Sequence, residues 1–85
     1  MAYIAYILEC ADGTFYSGST NDIEKRLHKH NHLKSGAHYT KIRRPVVLRY
    51  SESVPDFATA RAREAEFKRW THEGKMKFLA ENLLQ

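Results

Sequence analysis

Cysteine is nearly missing from this sequence. Cys10 stands alone, so no internal disulfide can form, and its place in an apolar segment suits a buried thiol better than a nucleophile. No apolar run is long enough to cross a bilayer, and the apolar start from Ala2 to Leu8 is short, interrupted by tyrosines and without a basic leader. These absences predict a soluble, unsecreted protein with no membrane partner, the cytoplasm being the default compartment. Repeats, low-complexity tracts and a visible linker are also lacking. Eighty-five residues provide one hydrophobic core with nothing to spare for a second, which predicts a single domain over 1–85. Acid is missing where base is concentrated: Lys25 to Ser51 holds eight Lys or Arg, four histidines and no Asp or Glu, within a chain of net charge +4. With Tyr39 and Tyr50 interleaved, that stretch suits a phosphate backbone, and it equally suits a solvated basic surface.

Ala2 to Cys10 and part of Phe15 to Ser19 are rich in Ile, Tyr and Leu, and Ala11-Asp12-Gly13 between them is a turn signal, so a hairpin is expected. Its register decides whether Tyr6 and Tyr16 can cooperate. A two-residue Asp12-Gly13 turn would pair Ala11 with Thr14 and put the tyrosines on opposite faces. A three-residue loop with Gly13 in the left-handed position pairs Cys10 with Thr14 and Leu8 with Tyr16. Tyr6 then lies diagonal to Tyr16 on one face, opposite Gly18, whose missing side chain would leave room for a ligand. We adopt this second register.

Asn21-Asp22-Ile23-Glu24 carries an N-cap followed three positions later by the reciprocal glutamate, predicting a helix to about Leu33. At ~100° per residue, Ile23, Leu27 and Leu33 mark its apolar side. Arg26 and His30 fall in the same arc, while Lys25, His28 and Lys29 point away. A guanidinium held against a sheet needs a partner, and its planar fork suits a phosphoryl group, so Arg26 is the best phosphate ligand in the chain. The bland alternative is an arginine snorkelling to a surface carboxylate. His30, one turn later, would bond a phosphate oxygen, orient a nearby hydroxyl, or simply be a satisfied structural histidine. His28 and His32 have the spacing of a metal pair but lack a third protein ligand in sequence, and are set aside.

Lys34 to Pro45 reads as a loop with at most a short helical turn, and Val46 to Tyr50 as a third strand. Lys41, Arg43 and Arg44 beside that strand suit contacts to backbone phosphates. Asp56 should cap a helix from Phe57 to about Thr71, with an apolar stripe of Phe57, Ala60, Phe67 and Trp70. Glu64 falls on that stripe whereas Glu66 projects away. A carboxylate among core-facing side chains must be paired, protonated or bound to a cation. Either it forms an internal ion pair with Arg26, or it is a single-carboxylate site for a hard divalent ion such as Mg²⁺, whose other ligands are water and substrate oxygen. Both options put Glu64 near Arg26. Gly74 should then break the pattern, and a final helix through Phe78, Leu79, Leu83 and Leu84 should close the core.

Tyr6, Tyr16-Ser17-Gly18, Arg26, His30 and Glu64, taken in this order, resemble the GIY-YIG nuclease superfamily over about residues 3 to 80. The likeness is to its small stand-alone members, related to the catalytic module of the excision-repair nuclease. Tyr6 matches the tyrosine of the first motif, although Ile4-Ala5 stands where the family has Gly-Ile. Tyr16 and Gly18 match the tyrosine and glycine of the second motif, Arg26 and His30 the helical arginine and histidine, and Glu64 the metal-binding glutamate. Asn82 is the only candidate for the asparagine some members use near the C-terminus, and it is not assigned.

The resemblance implies an α+β fold, a three-stranded antiparallel sheet flanked by about three helices in the order β-β-α-β-α-α. It also implies endonuclease-type phosphodiester hydrolysis with one divalent ion, Mg²⁺ or Mn²⁺, on nucleic acid, DNA in preference to RNA, in repair or processing. Glu64 would hold the ion, Arg26 would stabilise charge on the phosphate, and Tyr6 or Tyr16 would activate water. Most characterised members carry a separate DNA-targeting domain, so a targeting protein is a candidate partner. The alternative from another class is a non-catalytic nucleic-acid-binding or docking module of a repair complex.

Overall fold

A computed structural model describes residues 2–32 and 42–82. Strand β1 (Tyr3–Glu9) is central, with β2 (Phe15–Thr20) and β3 (Val47–Val54) antiparallel on either side. Helix α1 (Ile23–His32) follows β2, and α2 (Phe57–Arg69) and α3 (His72–Glu81) follow β3, so the α+β order is β-β-α-β-α-α. Among the described residues no helix is long and apolar enough to cross a membrane.

The hairpin takes the three-residue loop. Cys10 N–H donates to Thr14 O at 2.8 Å, Gly13 N–H to Cys10 O at 2.9 Å, and Gly13 has φ 84°, a left-handed backbone that glycine adopts without a Cβ penalty. Leu8 therefore pairs with Tyr16 and Tyr6 with Gly18. Asp12 secures the loop by accepting from the N–H and hydroxyl of Thr14.

Alternation along β1 splits the core in two. Ile4, Tyr6, Leu8 and Cys10 meet Tyr16, Val46, Leu48 and the α1 residues Ile23 and Leu27. Ala5 and Ile7 meet Phe15, Tyr50, Phe67, Trp70, Phe78 and Leu79 on the face covered by α2 and α3. The third strand is longer than the expected Val46 to Tyr50 and contains a bulge the alternation did not disclose. Ile7 pairs with Tyr50 but Leu8 with Leu48, leaving Arg49 as the extra residue. The bulge sends Leu48 and Tyr50 to opposite cores, and Arg49 binds Glu9 at 2.7 Å.

Helix boundaries differ in detail from expectation. Asp22, not Asn21, caps α1, its carboxylate accepting from Lys25 N–H at 3.1 Å. Thr20 Oγ1 accepts from Asp22 N–H at 3.1 Å and so holds the cap in place. The described part of α1 ends at His32, and Leu33 lies outside the described residues. Asp56 caps α2 as expected, accepting from Thr59 N–H, while Trp70 ends it. Gly74 does not interrupt the last helix but sits in its first turn, because Thr71 is the N-cap and its hydroxyl accepts from Gly74 N–H.

Candidate active site

The side chains singled out above come from both layers and converge on one rim of the sheet. Tyr6, Tyr16 and Gly18 face α1, whereas Ser19, one residue on, faces α2. Arg26 from the first turns of α1 and Glu64 from the middle of α2 reach the rim from opposite sides. Together with Phe57 and Arg61 these residues line a cleft of about 210 Å³. A larger groove of about 490 Å³ between Phe15, His72, Met76 and Leu79 has a mainly apolar lining and contains none of the expected site residues.

Glu64 is tethered within the cleft. Ser19 hydroxyl donates to its Oε1 and Lys68 Nζ to its Oε2, both at 2.7 Å, with Arg61 at 4.0 Å. Its side chain is 15% exposed. Burial raises the carboxyl pKa, but the Lys68 and Ser19 hydrogen bonds outweigh that and hold it below its ordinary value, so Glu64 is an anion at neutral pH. Of the two options for Glu64, the ion pair with Arg26 does not form: among the described residues Arg26 pairs with no carboxylate. Lys68, one turn along α2, took the role instead, leaving the Arg26 fork facing the cleft.

Behind the cleft, Tyr6 Oη and His30 Nε2 are hydrogen bonded at 3.1 Å. His30 is 1% exposed and packs edge-on against Tyr16, ring centroids 5.1 Å apart. Burial, with Arg26 and Arg44 adding positive charge, pushes its pKa down from 6.5 to about 4, so the ring is neutral at physiological pH. Burial likewise pushes the Tyr6 phenol far above its ordinary value, Arg26 opposing and Tyr16 and Glu64 reinforcing the shift. Of the readings offered for His30, its burial and its bond to the Tyr6 hydroxyl fit a histidine that orients a hydroxyl and one that is simply satisfied within the structure, and they do not fit direct contact with a phosphate.

Gly18 is needed for a different reason from the one expected. A Cβ there would stand 2.6 Å from Tyr6 Cζ and closer still to its hydroxyl, so the missing side chain makes room for the Tyr6 ring at the wall of the cleft.

The cleft's donor set is hard oxygen: one carboxylate and a hydroxyl, with two phenols nearby. No group of three or more His, Cys, Asp or Glu able to cage a metal occurs among the described residues. Each Glu64 oxygen accepts one hydrogen bond and retains a further lone pair. Such a site fits a largely hydrated divalent ion held by a single carboxylate.

A family model described as the GIY-YIG catalytic domain matches residues 2–77. The chain belongs to the GIY-YIG family. Membership implies a nuclease-type function, with nucleic acid as substrate. This GIY-YIG domain is 47% identical over 77 residues to a UPF0213 protein of Syntrophus aciditrophicus, covering 91% of this chain and 88% of the relative. It is also 47% identical over 76 residues to the UPF0213 protein SSP2268 of Staphylococcus saprophyticus, covering 89% and 92%. Among solved structures it is similar to the solution NMR structure of the UPF0213 protein BH0048 from Bacillus halodurans, with 34% identity, TM-score 0.61 and coverage of 96% and 86%.

Not every expected site residue enters the GIY-YIG cleft. Arg43 is bonded to Asp12 in the hairpin loop at 2.9 Å, and Arg44 donates to the carbonyls of Lys29 and His30 at the end of α1. Both therefore tie the chain entering β3 to the rest of the fold. Lys41 lies outside the described residues. Asn82 caps the end of α3, donating to Phe78 O at 2.9 Å. Ser19, Arg61 and Lys68 are site residues that the sequence reasoning passed over. Two left a signal: the hairpin alternation turns Ser19 toward α2, and Lys68 is four residues beyond Glu64 on one helix face. Phe57, expected in the core stripe, is 50% exposed at the cleft mouth.

Proposed function

We propose that the protein is a divalent-metal-dependent endonuclease that hydrolyses phosphodiester bonds of nucleic acid, DNA in preference to RNA, in repair or processing. The observation that carries this is the meeting of a guanidinium, Arg26, that pairs with no carboxylate among the described residues, and a tethered anionic carboxylate, Glu64, across one small cleft with two tyrosines. Arg26 binds the non-bridging oxygens of the scissile phosphate and offsets the charge that accumulates during in-line attack. Glu64 would hold Mg²⁺ or Mn²⁺, which when bound supplies charge neutralisation at the phosphoryl and leaving oxygens. Ser19 and Lys68 fix the carboxylate's orientation.

Water attacks phosphorus, its oxygen forming the new P–O bond as the ester P–O bond breaks; its proton passes to a tyrosine oxygen as that hydroxyl gives its own proton to solvent, and the departing ester oxygen takes a proton from solvent water. Tyr16 suits that role better than Tyr6. The Tyr6 hydroxyl is committed to His30 and its buried phenol resists ionisation, whereas Tyr16 is only partly buried at the cleft. Tyr6 and His30 then act as positioning residues, setting the shape of the wall against which Tyr16 packs.

The test is cleavage of labelled single-stranded, duplex, flapped and branched DNA, with matching RNA, by wild type and Glu64→Ala in Mg²⁺, Mn²⁺ and EDTA. Metal-dependent scission that falls roughly 10²-fold or more in the variant is expected. A Glu64→Ala protein that cleaves as well as wild type would sink the metal role, and binding without scission in every metal would favour the docking module.

A further inference from the structure

We infer that Phe57 and Arg61 form a nucleobase-stacking subsite beside the phosphate cleft, so that the strand entering the cleft must offer an unpaired base. This rests on the nuclease proposal and narrows its substrate class to single strands, flaps and splayed ends.

Phe57 is the first residue of α2 and half of it faces solvent, although nearby Ala60 and Phe67 on the same helix are fully buried. Its ring is not loose. Tyr3 packs against it with centroids 5.4 Å apart and planes inclined by 55°, and the Arg61 guanidinium sits 5.7 Å from its centroid. Both Phe57 and Arg61 line the same cleft as Arg26 and Glu64. Arg61 is itself 63% exposed and lies 4.0 Å from Glu64, close enough to meet the phosphate adjoining a base that rests on Phe57. A supported aromatic face, an adjoining planar cation and a phosphate site a few side chains away are the parts that single-stranded nucleic-acid binders combine. A base stacked inside a paired duplex cannot use such a face; an unpaired one can. The apolar surface at Phe57 is thus matched by a ligand whose backbone is drawn by Arg26 and Arg61, which an uncharged apolar peptide is not.

The experiment uses the full chain in EDTA, where no scission is expected, and measures binding by fluorescence anisotropy to three probes. These are a single-stranded oligonucleotide, the same backbone with abasic sites in place of bases, and the blunt duplex. Wild type should prefer the single strand over its abasic counterpart by roughly 10-fold, as expected for base stacking on an aromatic ring. Phe57→Ala and Phe57→Leu should both lose that preference and Phe57→Trp should keep it, with circular dichroism reporting the fold of each. The leucine variant retains apolar volume without a π-face, so it isolates stacking from packing. Equal affinity of wild type for the base-bearing and abasic strands overturns the subsite, as does a preference that survives in Phe57→Leu. Metal-dependent cleavage in either case leaves the nuclease proposal standing. No affinity of wild type for any probe overturns both.

Discussion

Gly18→Ala should be among the most damaging single-methyl additions this chain can receive. In an ordinary strand, replacing glycine by alanine gains roughly 0.5–1 kcal/mol through lost unfolded-state freedom. Here the new Cβ would lie 2.6 Å from Tyr6 Cζ, so the ring must retreat by about 1 Å to reach ordinary carbon–carbon separation. The ring has nowhere to go, since Tyr6 is buried in the central strand and its hydroxyl is bonded to a buried His30. Overpacking of this kind costs about 1–3 kcal/mol. Breaking the buried Tyr6–His30 bond adds about 1–3 kcal/mol. The net loss, about 1–5 kcal/mol, is a large part of what a domain of this size has, and it should lower Tm by roughly 5 °C or more. Urea unfolding of wild type, Gly18→Ala, Tyr6→Phe and the double variant tests the cause. Tyr6→Phe removes the most crowded atom, so the double variant should lose at least ~1 kcal/mol less than the sum of the singles. A Gly18→Ala protein as stable as wild type, or strict additivity, refutes the steric account.

His30 should give stability a distinctive acid limb. The unfolded histidine takes a proton near pH 6.5 while the folded one resists until about pH 4, so its contribution is intact above 6.5 and falls by about 1.4 kcal/mol per pH unit between those values, roughly 3 kcal/mol in all. His30→Gln should flatten that limb; an unchanged pH dependence of unfolding would count against burial as the cause. Arg26→Ala should lower kcat by roughly 10²-fold or more and Arg26→Lys by a smaller factor, because an ammonium lacks the planar fork; equal rates in Arg26→Lys and wild type would leave only its charge relevant. Ser17 Oγ is buried without a hydrogen-bond partner among the described residues, so Ser17→Ala should be neutral or stabilising by up to about 1 kcal/mol in the same unfolding assay, and a clear loss would reveal a partner.

What could be read from the sequence was what local periodicity governs. The hairpin register followed from loop length, and with it the shared face of Tyr6 and Tyr16. The 3.6-residue repeat turned Arg26 and His30 inward and placed Glu64 on the inner side of its helix. Long-range pairing escaped. Nothing local says whether Glu64 meets Arg26 across the sheet or Lys68 along its own helix, and entropy favoured the partner one turn away. The β3 bulge was invisible for the same reason: it is defined by β1, forty residues earlier. Arg43 and Arg44 looked like surface cations because their acceptors, Asp12 and the end of α1, are distant in sequence. The half-exposed ring of Phe57 was hidden by its position on an apolar stripe, which periodicity assigns to the core whether or not anything covers the end of the helix.

Surface turns are usually the parts of a protein where length drifts most freely, since gaining or losing a residue there disturbs little else. The loop at Ala11-Asp12-Gly13 is denied that freedom. Because strand side chains alternate, one residue more or fewer would rotate the whole of β2 by half a repeat against β1, turning Tyr16 and Gly18 toward α2 and Ser19 toward α1. A tripeptide that lines no part of the cleft therefore counts out its spacing, and gaps in this turn should be as rare among working relatives as changes to the tyrosines themselves.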